Sequence, residues 1–135
     1  MERRKAVQPD VVFRDRQLVI SRTHRPPGLR LVGAVDASNV DGLAQALATS
    51  RTDASKDGHV VHVDLTMLEF TDVSGIRALV ASAQQAAESY RMVLHGLPPL
   101  MRRVMDAVGW TELPALEISR EPFPSVGGRN GDRLP

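Results

Sequence analysis

Cysteine is absent from the 135 residues. Disulfides and thiolate metal sites are therefore excluded. Aromatic side chains are scarce, with one Trp, one Tyr and three Phe, so the core has to be aliphatic: Val, Leu, Ile, Met and Ala. A surplus of one charge sign is missing too. The 17 Lys and Arg nearly balance 16 Asp and Glu, for a net charge of +1, whereas a nucleic-acid-binding domain usually shows a basic stripe. No apolar run approaches the roughly 20 residues needed to span a bilayer. The opening "MERRKAVQPD" has no apolar stretch behind it, so no signal peptide is expected. These absences argue against a direct nucleic-acid or membrane partner and are consistent with a cytoplasmic protein.

The length fits one domain, and a hydrophobic fraction of 42% is ordinary for a globular chain. Residues 1–10 are polar and basic and read as a flexible arm. From Ser119 on, "SREPFPSVGGRNGDRLP" is rich in Pro, Gly and Arg and is expected to bury almost nothing, as a flexible tail. The folded unit is then 11–118.

Within that unit "QLVISRT" alternates as a strand does, "HRPPG" is a turn, and "LRLVGAVD" is a second strand, a hairpin in sum. Asp36 and Ser38 are cap residues. Val40, Leu43, Ala44 and Leu47 follow on one helical face. "RTDASKDG" reads as a polar loop and "HVVHVDL" as a β-branched strand. After Ser74 the stripe Ile76, Leu79, Val80, Ala83, Ala87 and Tyr90 marks the clearest helix, with Arg77, Gln84, Gln85 and Glu88 away from its centre. "RMVLHGL" is a strand, and "PPLMRRVMDAVG" is a helix with proline in its first turn and Gly109 as C-cap. "LPALEIS" closes the series. The order ββαβαβαβ predicts an α/β domain. Its mixed, mostly parallel sheet would have four to five strands, the hairpin strand antiparallel and the helices mainly on one face.

The chemistry gathers in "LEFTDVSGIRALV", residues 68–80. A serine follows an acidic residue at the start of a helix, with a glycine directly after it. As a nucleophile, Ser74 lacks the Gly-x-Ser-x-Gly elbow. Nor does the sequence bring His24, His59, His62 or His95 to it as a base. His62 and Asp64 could share a strand face, but zinc needs three or four convergent ligands. The chain is therefore read as neither an enzyme nor a metal protein, and no cofactor is implied. As a capping segment, Asp72 or Ser74 satisfies amide donors that a helix start leaves unpaired. That leaves Gly75 unexplained. Glycine there costs about 1 kcal/mol relative to alanine, which suggests that something approaches the backbone closely.

A third reading rests on resemblance. "LEFTDVSG", preceded by "VVHVDL" and followed by "IRALVASAQQA", resembles the phosphorylation segment of STAS-domain proteins, the bacterial anti-sigma-factor antagonists. "LRLVGAVD", "ASNVDGLAQAL" and "RMVLHGLPPLMRRVMDAVGWTELPALEI" resemble the rest of that domain, so the likeness spans about residues 18–118. It implies that Ser74 is phosphorylated by an anti-sigma factor that is also a serine kinase of histidine-kinase-like ATPase fold, with a serine phosphatase to reverse it. Asp72 and Gly75 match the motif, and Asp36 matches the acidic residue at the corner after the second strand. Asp36, Asp72, Val73, Ser74, Gly75 and Arg77 are then the expected partner-binding residues. Ala34 and Thr71 depart from the pattern, standing where an acidic and an apolar residue are usual. STAS domains also serve as nucleotide-responsive regulatory modules and as subunits of lipid transporters, which gives the alternative: binding of a small molecule or lipid in place of an anti-sigma factor. The sequence carries no P-loop and no basic amphipathic helix in favour of it.

Overall fold

The structure is a computed structural model and describes residues 10–57, 60–86 and 90–124. Most of the expected N-terminal arm, the tail beyond Pro124, and His59, Ala87 and Glu88 lie outside the described residues. The elements are β1 (Val11–Arg14), β2 (Leu18–His24), β3 (Pro27–Val35), α1 (Val40–Asp57), β4 (Val60–Thr71), α2 (Val73–Ala86), β5 (Arg91–His95), α3 (Pro99–Ala107), a 3₁₀ turn (Trp110–Glu112) and β6 (Leu116–Ile118).

The sheet runs β1-β2-β3-β4-β5-β6. The two pairings among β1, β2 and β3 are antiparallel, and those from β3 through β6 are parallel. Sequential parallel neighbours follow from short strand–helix–strand crossovers. Alternate residues therefore face one way: Leu18 and Ile20, Leu29 and Leu31, Val61 and Val63, Met92 and Leu94 are all buried. Leu43 and Leu47 of α1, Ile76, Leu79, Val80 and Ala83 of α2, and Met101 and Met105 of α3 complete this core. The other sheet face carries Arg30, His62, Asp64 and His95.

Three details differ from the sequence reading. The sheet has six strands rather than four or five, because "VVFR" adds the edge strand β1. Four residues are too few to show a period. Its anchor is Phe13, whose ring packs where a side chain on Gly42 of α1 would stand. Second, "RTDASKD" is not a loop; α1 continues through it to Asp57. Polarity there does not mark a helix end: Thr52 and Asp53 are exposed inside the helix. Arg51 still donates to Ser82 of α2 at 3.3 Å. Third, β4 runs to Thr71, well past "HVVHVDL". Its register against β3 shifts after Arg30 and again after Gly33. The core side of β4 accordingly moves from Leu65 to Leu68, as a bulge requires.

Gly109 does end α3: its φ is 80° and its amide donates to the Asp106 carbonyl at 3.2 Å. That is the left-handed C-cap that glycine favours. Ser119–Pro124 continue past β6, with the Ser119 amide donating to the Leu94 carbonyl at 2.9 Å. Among the described residues no helix is long and apolar enough to cross a membrane.

Candidate functional site

The site forms where the parallel strands end. Val35 pairs with Thr71, so Asp36 and Asp72 leave neighbouring strand ends side by side. The Asp72 amide donates to the Val35 carbonyl at 3.2 Å, tying the two corners together.

Asp72 is the N-cap of α2. Its carbonyl accepts the amides of Gly75 (3.1 Å) and Ile76 (3.3 Å), and its Oδ1 also accepts Gly75 N–H at 3.2 Å. The same Oδ1 takes the Ser74 hydroxyl at 2.5 Å. Cap and serine are thus one unit: the carboxylate that closes the helix also orients the hydroxyl. Ser74 is half-buried on the first helical turn, where the positive end of the helix dipole favours an anion.

Gly75 has its explanation inside the chain. A Cβ there would collide with Thr71 Oγ1 and stand 2.9 Å from Val35 Cγ1. The close approach that the sequence suggested is made by β3 and β4 themselves. It seats α2 low on the sheet and brings Ser74 down to the strand ends.

At the neighbouring corner the Asp36 carbonyl accepts the Asn39 and Val40 amides at 3.1 and 3.0 Å. Its Oδ1 accepts both the amide (2.8 Å) and the hydroxyl (2.6 Å) of Ser38. The Ser38 hydroxyl, then Gln17's side chain and the Ser38 amide, hold its carboxyl below the ordinary carboxylate value. Sequence reasoning missed two residues here. Asn39 is 2% exposed. Its Oδ1 takes the Asp36 amide at 2.9 Å and its Nδ2 donates to the Ala34 carbonyl at 3.0 Å, so it pins the corner. An Asn directly before an apolar helical stripe is a cap signal that the sequence does offer. Asp15, in the β1–β2 turn, feels the Asp36 charge; the amide of Gln17 chiefly keeps its carboxyl low. Nothing in the local sequence announces that neighbour.

The surface around Ser74 is acidic and apolar together. Val73 is 50% exposed, Phe70 58% and Leu100 71%. These three, with Ile76, Met101 and Val104, line a cleft of about 280 Å³ that Glu69 and Asp72 border. Arg77 is exposed on the next turn. Asp36, Asp72, Val73, Ser74, Gly75 and Arg77 therefore fall in one region at the strand ends, although Gly75 is buried and acts through packing.

The described histidines, His24, His62 and His95, are elsewhere. His62 and His95 contact each other on the opposite sheet face, and His24 pairs with Asp10 at 2.9 Å. Among the described residues the side-chain partner of the Ser74 hydroxyl is a carboxylate and not an imidazole. The His62/Asp64 alternative is occupied otherwise: Asp64 binds Arg30 and the Thr66 amide, at 2.9 and 3.0 Å.

A family model described as "Mlab, STAS domain" matches residues 18–117. The chain belongs to the STAS-domain family. Solved structures of anti-sigma factor antagonists share this STAS fold. One from Mycobacterium paratuberculosis is 19% identical over 74% of this chain and 83% of its own, with a TM-score of 0.55. The antagonist SpoIIAA in its unphosphorylated form is 18% identical over 77% and 89%, with a TM-score of 0.55. The Bacillus cell fate determinant SpoIIAA in its phosphorylated form is 21% identical over 77% and 92%, with a TM-score of 0.53. No curated protein sequence matches the chain. At such identities the likeness is one of fold; what the STAS domain does here has to come from its own residues.

Proposed function

We propose that this STAS domain is an anti-sigma-factor antagonist without catalysis of its own, acting in the cytoplasm. It binds an anti-sigma factor that is also a serine kinase while Ser74 is free. It releases that partner when Ser74 carries phosphate, and a serine phosphatase resets it. The observation that carries this reading is the Ser74 hydroxyl, held at 2.5 Å by the N-cap carboxylate of Asp72 beside an exposed apolar cleft. Phosphate adds about −1.5 to −2 charges there at neutral pH. The carboxylate that holds the free hydroxyl would then repel the modified one. Near the helix N-terminus that repulsion is offset by about 0.3–2 kcal/mol, so the domain stays folded. A partner covering the site meets an anion that is expensive to desolvate, by several kcal/mol unless a cation matches it.

Membership of the STAS family also admits a second reading, a STAS subunit that takes a lipid or small molecule at the same cleft. Charge argues against it. The residues that line the cleft include the carboxylates of Glu69 and Asp72 and no Lys or Arg, so an anionic lipid headgroup meets like charge there. Incubation with ATP and the cognate kinase, followed by intact-mass measurement and peptide mapping, separates the readings. One phosphate on Ser74 supports the antagonist. An unmodified chain that copurifies with phospholipid contradicts it.

A further inference from the structure

The second face of the sheet holds a cluster that the Ser74 site does not use. His62 Nδ1 and His95 Nε2 are 2.9 Å apart, and their rings stack with centroids at 5.1 Å. His95 is 5% exposed, and its Nδ1 is buried with no partner among the described residues. Phe123 stands edge-on to His95, 5.2 Å between centroids with the planes at 84°. The Arg30 guanidinium lies over the Phe123 ring at 5.5 Å while its Nε donates to Asp64 at 2.9 Å.

Local structure brings Phe123 there. After β6 the Ser119 side chain accepts the Glu121 amide at 3.0 Å and donates to the Glu121 carbonyl at 3.2 Å, a hydroxyl-closed turn. Pro122 and Pro124 then flank Phe123. Prolines fix φ on both sides of the ring, so the segment loses little entropy on docking.

The proton count of the histidine pair decides what happens in acid. A neutral pair has two ring protons. One lies in the shared hydrogen bond and the other can sit on His62 Nε2, leaving the buried His95 Nδ1 as a bare acceptor. A third proton fills His95 Nδ1 in that tautomer, or His62 Nε2 in the other, and either way the charged pair carries a buried His95 N–H with no acceptor among the described residues and a cation among cations. The charged groups facing the pair are Arg30 on β3, Asp64 on β4, Arg91 on β5 and Glu117 on β6, and the strap brings the exposed Arg120 and Glu121. Asp64 is engaged by Arg30 and Glu117 by Arg91, so neither carboxylate is free to neutralise the new charge.

We propose that Ser119–Pro124 form a pH-responsive strap, closed on the second sheet face while the His62–His95 pair is neutral and released when the pair takes up a proton. Burial, then the charges of His95 and Arg91, pushes the His62 imidazole below its ordinary value near 6.5. His95 and Arg91 stay on β5 when the strap leaves, so opening relieves only the burial, and by that amount the open form takes the proton first as pH falls. Closure is complete above 6.5 and is lost progressively below it. Opening uncovers a sheet face that is remote from Ser74 and independent of its phosphorylation.

Fluorine NMR of the full chain with 4-fluorophenylalanine at its three phenylalanines tests this, Phe123→Leu assigning the signal. The Phe123 resonance should be displaced from the free-residue position at pH 7.5 and return to it between pH 6.5 and 5. Phe13 and Phe70 should hold still. In His95→Leu it should stay displaced at every pH. Should that variant not fold, His62→Gln serves, because it removes one imidazole of the pair and the midpoint must move. A Phe123 signal already free at pH 7.5, one unmoved down to pH 5, or three signals moving together would each overturn the proposal.

Discussion

Gly75→Ala should destabilise the protein, although propensity alone says the opposite. In a helical turn alanine is favoured over glycine by about 1 kcal/mol. Here the new Cβ meets Thr71 Oγ1 inside contact distance and Val35 Cγ1 at 2.9 Å. The threonine can yield in part. Among the described residues its hydroxyl makes one bond, to the Asp72 carbonyl at 3.1 Å. Val35 has less freedom: it is 1% exposed and β-branched, with χ1 held by the core around it. Overpacking of this kind costs about 1–3 kcal/mol. Set against the propensity gain, the net loss should be up to about 2 kcal/mol. Urea denaturation followed by far-UV circular dichroism and by Trp110 fluorescence measures it. A double-mutant cycle with Thr71→Ala locates the cause, since removing the threonine hydroxyl should recover about 1 kcal/mol of the loss. Equal or higher stability of Gly75→Ala, or no coupling to Thr71, would refute the claim that strand contacts set the depth of α2 and hence the position of Ser74.

Leu79→Ala should cost about 2–5 kcal/mol in the same denaturation assay, because Leu79 is 2% exposed in the middle of the α2 stripe. Asp64 ties stability to acid. Burial pushes its carboxyl up, but the Thr66 hydroxyl and amide and the Arg30 guanidinium outweigh that and hold it below the ordinary value. The stability it contributes is present above about pH 3.9 and lost as pH falls through the lower folded value. Asp64→Ala should remove that part of the acid dependence and cost about 1–3 kcal/mol at neutral pH, read from urea midpoints between pH 2 and 7.

Much of the fold was legible because period and punctuation agreed. Of the predicted α2 stripe, Ile76, Leu79, Val80 and Ala83 are buried on the helix, Ala87 lies outside the described residues, and Tyr90 is buried but stands beyond the helix, which ends at Ala86. The proline and glycine signals at either end of α3 held as well. What escaped has no local signature. β1 is four residues anchored by one aromatic. The polar second half of α1 hides its helix because its sequence offers no apolar period. The candidate site was legible as a motif, and Asp36 and Asp72 do meet at paired strand ends. Register puts them there. The same register joins His62 and His95, 33 positions apart, on the far face. The role of Gly75 depends on Thr71 and Val35 at once, a three-body fact that no spacing along the chain encodes. Phe123 sits in a stretch whose composition suggests nothing but solvent, yet its ring finds His95.

The central claim is that charge on Ser74 controls partner binding without unfolding the domain. Calorimetric titration of the free chain, Ser74→Ala and Ser74→Glu against the cognate anti-sigma factor tests it directly, with circular dichroism as the folding control. The account predicts that Ser74→Ala binds like the free chain and that Ser74→Glu binds about two orders of magnitude more weakly, a loss of roughly 3 kcal/mol, all three giving the same folded spectrum. Equal affinity of Ser74→Ala and Ser74→Glu would contradict it, and would leave the hydroxyl as part of a helix cap and nothing more.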